Sequence, residues 1–303
     1  MSNGGGSLIN LGDISKPATV LIEKISEAIG GVFKPYQIRR VAQAEAEAEK
    51  IREIARIEVT DLQRRAMQRF IHEEEKKQAN IESITRLALP ELSQDAKPQD
   101  VQNDWITNFF DKCRLISDGE MQSLWAKVLA GEANTPGKYS KRAVAVLSSL
   151  DKSDAELFRK LCSFGWCFGP VHVIPLVYDA GADIYAKAGL NFMGLSHLND
   201  IGLIRFDNFS GFKSKGLRKK LAVSYYGTTM IVEFPKPEGN EFILGCVLLS
   251  KAGEELAPLC DAEPHPGFLD YIVETWRKRG LKGEAGKAEA GPVNGAAAMQ
   301  VTD

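Results

Sequence analysis

Between Pro35 and Pro90 the chain contains neither glycine nor proline, the two residues that most readily end a helix. The interval is dense in Ala, Glu, Arg, Gln and Ile, so it reads as one uninterrupted helix or a helix with a single kink. At about 1.5 Å per residue, such a helix reaches on the order of 80 Å, too long for a small domain to cover. Val41, Ala44, Ala48, Ile51, Ala55, Glu58, Leu62, Ala66 and Phe70 nearly hold a coiled-coil seam, interrupted by Glu58 and enriched in alanine. The expectation is a homo-oligomer joined through Val41, Ala44, Ala48, Ile51, Ala55, Leu62, Ala66 and Phe70. The Arg39-Arg40 and Arg64-Arg65 pairs alternate with Glu45, Glu47, Glu49 and Glu73 to Glu75, which is the pattern of a solvated face carrying intrahelical ion pairs.

Upstream, residues 1–14 include Gly4, Gly5 and Gly6 and read as a flexible lead-in. Ser15 then caps a short amphipathic helix with Leu21, Ile25, Ala28, Ile29 and Val32 at helical spacing. Its stripe either packs on the rest of the protein or, through Leu21, Ile25, Val32 and Phe33, touches a membrane surface.

Downstream, residues 91–165 read as a helical bundle. Trp105, Ile106, Phe109 and Phe110 share one face, Ser117 or Asp118 caps a helix carrying Met121, Leu124, Trp125, Val128 and Leu129, and Ser140 and Ser153 cap two more. The periodicity changes past Cys162. A short helix at Leu195 to Leu203, strands at Leu221 to Phe234 and Phe242 to Leu249, and helices opened by Ser250 and continued from Phe268 to Arg277 outline a small α+β domain over 166–280. The fold class expected is therefore mainly α: an amphipathic helix plus a long charged, coiled-coil-like helix over 15–90, a helical bundle, and a small winged-helix-like α+β carboxy-terminal domain, with residues 281–303 disordered.

The formal net charge of -2, from 38 basic and 40 acidic residues, exerts no global pull on nucleic acid or anionic lipid. Five cysteines with no CxxC pair, no signal-peptide pattern and no apolar run near 20 residues suggest a cytoplasmic protein. The four histidines lack metal-ligand spacing, and no phosphate-binding glycine loop or nucleophile elbow is present. No catalytic residue, cofactor or metal is assigned. Cys162 and Cys167 with His172 could form a nucleophile and base, but Phe164, Trp166 and Phe168 beside them point to buried thiols. One cationic cluster, Lys213, Lys215, Arg218, Lys219 and Lys220, sits where a wing would touch phosphate.

Three stretches carry a resemblance. They are Lys76, Gln78, Asn80, Ile81 and Glu82; the run Asp104, Trp105, Phe109, Phe110, Ile116, Ser117, Asp118, Met121, Gln122, Leu124, Trp125, Ala126, Leu129, Ala130, Gly131 and Glu132; and Tyr139 to Arg142 followed by Leu150. Together they resemble an uncharacterised bacterial domain-of-unknown-function family over most of residues 10–278. The middle block, residues 104–162, is also similar to the helical core of abortive-infection alpha-type proteins. The resemblance implies an accessory protein concerned with phage defence and carries over no catalytic residue. The function expected is a self-assembling interaction or sensor protein with a protein partner that the sequence does not name. The alternatives are a nucleic-acid binder using the cationic loop and a peripheral membrane effector.

Overall fold

A computed structural model describes residues 15–29, 60–168, 172–285 and 301–302. The chain forms two compact units, residues 1–144 and 145–303. The bundle expected over 91–165 is thus divided, with its last helix in the second unit.

In the first unit, α1 (Lys16–Ile29) buries Ala18, Leu21, Ile22 and Ile25 against α3 (Asn103–Cys113). The two are tied by Lys24 Nζ donating to Asn103 Oδ1 at 2.8 Å. The face of α1 considered for a membrane therefore lies inside the unit as far as Leu21 and Ile25 are concerned, whereas Val32 and Phe33 fall outside the described residues. The helix α2 runs from Asp61 to Ala88. Thr60 caps it, with ψ at 152° and a capping box closed by Gln63. A helix of 28 residues is about 42 Å long; the part of the glycine- and proline-free interval before Thr60 falls outside the described residues. Composition permitted continuation through Thr60, but Thr60 bonds its own first turn instead.

The last two turns of α2 pack on α4 (Gly119–Asn134). Asp118 caps α4 by accepting from the Glu120 and Met121 amides, both at 3.0 Å. Trp105 stacks on Phe109, whose ring meets Trp125 edge-on, so the aromatic residues of the middle block form its core. The buried Glu132 carboxylate accepts from the backbone of Gly137 at 2.7 Å and Tyr139 at 2.9 Å. Trp105 Nε1 donates to the Tyr139 carbonyl at 2.7 Å. Gly131 lies against the Tyr139 ring, where a Cβ would stand 2.7 Å from Cε2. These positions of the middle block are one device for holding the 135–139 loop.

Helix α5 (Lys141–Ser148), capped by Ser140, spans the boundary between the units. In the second unit, α6 (Lys152–Cys162) is capped by Asp151 in a capping box with Asp154, two residues before the expected Ser153. Then follow β1 (Gly165–Phe168), β2 (His172–Pro175), the single turn α7 (Asp183–Ala186), α8 (Phe192–Asp200) and β3 (Ile204–Phe206). The remainder comprises β4 (Phe212–Leu217), β5 (Lys220–Tyr225), β6 (Thr228–Glu233), β7 (Asn240–Gly245), β8 (Val247–Leu249), α9 (Lys251–Leu256, capped by Ser250), α10 (Phe268–Lys278), β9 (Lys282–Ala285) and β10 (Val301–Thr302).

The winged-helix expectation is overturned. The strands form a five-stranded antiparallel sheet in the order β2-β1-β5-β6-β9, a three-stranded sheet β10-β4-β7 and the pair β3-β8. The supposed wing is β4 and the start of β5, strands that belong to two of these sheets, and the molecule is α+β with far more sheet than a wing requires. Two local features caused the misreading. The expected strand from Leu221 to Phe234 is a hairpin, because Tyr226 (φ 42°) and Gly227 (φ 85°) make a two-residue turn with both residues left-handed. The expected strand from Phe242 to Leu249 breaks at Gly245 (φ 102°), where a Cβ would collide with the Val177 carbonyl. The tail expected to be disordered from residue 281 also supplies β9 and β10, paired to β6 and β4. Gly283 in β9 lets Trp276 lie close beneath it.

Replacing Glu132 by Ala strands two backbone N–H groups that it now satisfies, and is expected to cost about 2–4 kcal/mol of stability in urea unfolding. Gly131→Ala is expected to destabilise by about 1–3 kcal/mol through contact with the buried Tyr139 ring.

Candidate interaction surfaces

Helix α2 is buried at one end and bare at the other. Ile81, Ile84, Thr85 and Ala88 are buried, whereas every residue from Asp61 to Lys76 is exposed. Ala66, Met67 and Phe70 precede Ile84, Thr85 and Ala88 by eighteen residues each, about five full turns, so they lie on the same line along the helix. The face that packs on α4 thus carries exposed apolar side chains again five turns earlier, with Glu73, Glu74 and Lys77 on the same line between the two patches. Leu62 is 69% exposed and Phe70 62%, with Met67 and Ile71 also open. An isolated exposed Leu is ordinary, whereas these exposed apolar side chains recur at helical spacing along one helix.

Side chains from separate stretches fix this helix to the bundle. Gln122 on α4 donates to Asn80 Oδ1 at 3.1 Å and to the Ile116 carbonyl at 2.8 Å, and accepts from Ser83 Oγ at 2.8 Å. Asn80 in turn donates to the Arg114 carbonyl at 2.9 Å. The 76–82 and 116–122 stretches, far apart in sequence, meet here. Beside them lies an open cleft of about 600 Å³ lined by Glu73, Lys76, Lys77, Asn80, Arg114 and Leu115. It abuts the exposed stripe, and Leu115 is itself 68% exposed.

Of the residues expected to self-associate, Leu62, Ala66 and Phe70 are therefore exposed on α2, while Val41, Ala44, Ala48, Ile51 and Ala55 fall outside the described residues.

The expected cationic cluster is brought together on the second unit, though partly neutralised. Lys213 is paired with Glu241 at 3.1 Å and Lys219 with Glu233 at 3.2 Å. Lys215, Arg218 and Lys220 are exposed. The register sets Lys220 and Lys282 on either side of Glu233, whose carboxyl is held below its usual range by the Lys219 hydrogen bond and by the surrounding lysine charges.

A second surface on this unit was not read from the sequence. Asp207 Oδ1 accepts from the amides of Phe209 and Ser210 at 2.9 and 3.1 Å, and those hydrogen bonds keep its carboxyl below the ordinary value. The turn holds Phe209 at 99% exposure over a cleft of about 260 Å³ shared with Phe192, Asn199 and Phe206. The signal was the run Asp207-Asn208-Phe209-Ser210-Gly211, whose Asp and Gly are turn residues.

Two of the thiols are held in their protonated form. Cys162 is held protonated first by a hydrogen bond with Cys260 and then by burial, and burial pushes Cys246 up to about 11. The side chain of His172 lies outside the described residues. His197 on α8 instead pairs with Asp154 on α6 at 2.7 Å. Among the described residues no group of three His, Cys, Asp or Glu side chains could hold a metal ion. Nor is any described helix long and apolar enough to cross a membrane.

The two units thus define an α+β protein whose candidate sites are exposed surfaces outside the packed cores. The chain belongs to the family described as "Protein of unknown function (DUF2806)", which it matches over residues 64–273. That span takes in most of α2, the rest of the bundle and the sheets of the second unit up to the middle of α10. No curated protein and no solved structure matches the chain.

Burial tends to raise the Asp154 carboxyl, but the His197 hydrogen bond, the Asp151 amide and the His197 charge outweigh it and the net direction is down. A carboxyl depressed in the folded state stabilises fully above its unfolded value of about 4 and loses that contribution as pH falls through the folded value. Asp154→Ala removes both the pair and the capping box. It is expected to cost about 1–2 kcal/mol at pH 7, and the gap to the native chain should narrow at pH 3 in urea unfolding.

Proposed function

We propose that this protein is an interaction protein that self-associates through the exposed face of α2 and presents its two units to a further partner. The observation that carries this reading is the exposed apolar patch of Leu62, Ala66, Met67, Phe70 and Ile71, in phase with the buried face at Ile84, Thr85 and Ala88. Leaving Leu62, Met67, Phe70 and Ile71 in water forgoes roughly 1.5–3 kcal/mol for each side chain that a partner would fully cover. Packing a second helix on that face recovers part of it. The resemblance of residues 104–162 to abortive-infection alpha-type proteins supports phage defence as the process in which such an assembly acts. Plating a panel of phages on cells with and without the gene tests that process, and equal plating across the panel would remove it.

Sedimentation at tens of micromolar is expected to show an oligomer. Leu62→Glu with Phe70→Glu is expected to give a monomer of unchanged helical content, since both side chains are exposed and support no core. A wild-type monomer at that concentration would end the reading.

The grouping of Lys215, Arg218, Lys220 and Lys282 on the second unit favours nucleic-acid contact as a second reading. Its strength is reduced by the Glu241 and Glu233 carboxylates that already pair two of the cluster's lysines. Replacing Lys213, Lys215, Arg218, Lys219 and Lys220 by alanine should flatten the salt dependence of oligonucleotide binding. No binding of a single-stranded oligonucleotide at low salt would exclude this reading.

A further inference from the structure

The second unit brings two thiols together from distant parts of the chain. Cys162 is the last residue of α6, and Cys260 caps the 3-10 turn Ala257–Leu259 that follows α9. They meet because that turn packs on α6. Hydrogen bonds from the following residues close the seam. The Ser163 carbonyl accepts from the His265 amide at 3.4 Å and from Tyr225 Oη at 2.7 Å, and Tyr225 Oη in turn accepts from the His265 amide at 2.7 Å. Tyr226 Oη donates to the Cys162 carbonyl at 3.0 Å, and the His265 ring stacks on Phe164 with centroids 4.6 Å apart. Asp261, left-handed with φ at 46°, bends the chain immediately after Cys260, so that His265 can reach back to the end of α6.

The two sulfurs differ in exposure and in the proton they hold. Both are free thiols; Cys162 is buried and Cys260 is partly exposed. Cys260 Sγ donates to the Leu256 carbonyl at 3.7 Å, and its hydrogen bond with Cys162 leaves the proton on Cys162. A reagent arriving from solvent therefore meets Cys260 first, with a second sulfur held against it from the protein side. The nearest competitor is Cys167, which like the other two lies near the Tyr226 phenol but is fixed in β1 opposite Val173 and Ser224.

From this juxtaposition we propose that Cys162 and Cys260 are a redox pair, converted by hydrogen peroxide into a disulfide that staples the end of α6 to the 3-10 turn. The Cys260 sulfur attacks one peroxide oxygen; an S–O bond forms, the O–O bond breaks, and the departing hydroxide takes the thiol proton and leaves as water. The Cys162 sulfur then attacks the sulfur of the Cys260 sulfenic acid; the S–S bond forms, the S–O bond breaks, and the Cys162 proton leaves with the hydroxyl as a second water. Two thiols lose two electrons and two protons, and one peroxide is reduced to two waters. A sulfur already in contact with Cys260 intercepts the sulfenic acid before a second peroxide can carry it to the irreversible sulfinic state. The staple lies wholly within the second unit, apart from α2.

The test is a disulfide map of the full-length protein after exposure to a few-fold molar excess of hydrogen peroxide, with remaining thiols blocked at low pH before digestion and mass spectrometry. The expected result is an intact mass lower by two hydrogens, with Cys162 and Cys260 in one linked peptide that dithiothreitol separates. In Cys162→Ser, Cys260 is expected to stop at a sulfenic acid that dimedone labels, and in Cys260→Ser no disulfide to Cys162 should form. The wild-type map decides the question by itself should either variant fail to fold. A Cys162–Cys167 link, Cys260 carried to sulfinic acid without a link, or both thiols left unchanged by peroxide would overturn the pairing.

Discussion

One helical face does two jobs in this protein. Along α2 the same line of side chains is core at Ile84, Thr85 and Ala88 and surface at Ala66, Met67 and Phe70. The buried end is anchored by apolar contact with α4 and by the Asn80–Gln122–Ser83 hydrogen bonds, which fix the helix against rotation. Because a helix keeps its face in phase from end to end, that anchoring also decides which way Phe70 and Met67 point. The bundle thereby aims a surface it does not cover. The capping box at Thr60 then sets where the projecting helix starts.

The other marked residues of the first unit are mostly there to make this anchoring rigid. Glu132, Gly131, Tyr139 and Trp105 hold one loop against the aromatic stack of Trp105, Phe109 and Trp125. A buried carboxylate satisfied by two backbone amides is a costly feature to disturb, and here its purpose is structural. Family membership over residues 64–273 is consistent with that reading, since a shared scaffold accounts for such positions without a shared reaction. In the second unit the aromatic cluster of Phe164, Trp166, Tyr185, Tyr225, Phe268 and Trp276 has the same part.

The helices were legible because their signals are local. The alternation of apolar residues placed α1, α3, α4 and α6, and Asp118, Ser140 and Ser250 cap where short polar side chains precede an apolar run. Strand pairing was not legible in the same way. Nothing local at Lys282 to Ala285 announces that it completes a sheet with β6, and the Tyr226-Gly227 turn hides inside an apolar run that reads as one long strand. Composition alone does not announce the start of α2 at Thr60, whose side chain closes a capping box with Gln63. Of the candidate surfaces, the cationic cluster could be read from residue type, but its neutralisation by Glu233 and Glu241 depends on cross-strand register. The Phe209 turn carried a recognisable Asp-to-Gly run that charge had overshadowed.

The most direct test is hydrogen–deuterium exchange of α2 followed by mass spectrometry across protein concentrations. If the open face is covered by another copy, amides of residues 62–77 should exchange fast in dilute protein and slow steadily as concentration rises, while those of residues 81–88 stay slow throughout. Exchange over residues 62–77 that does not change with concentration would contradict it.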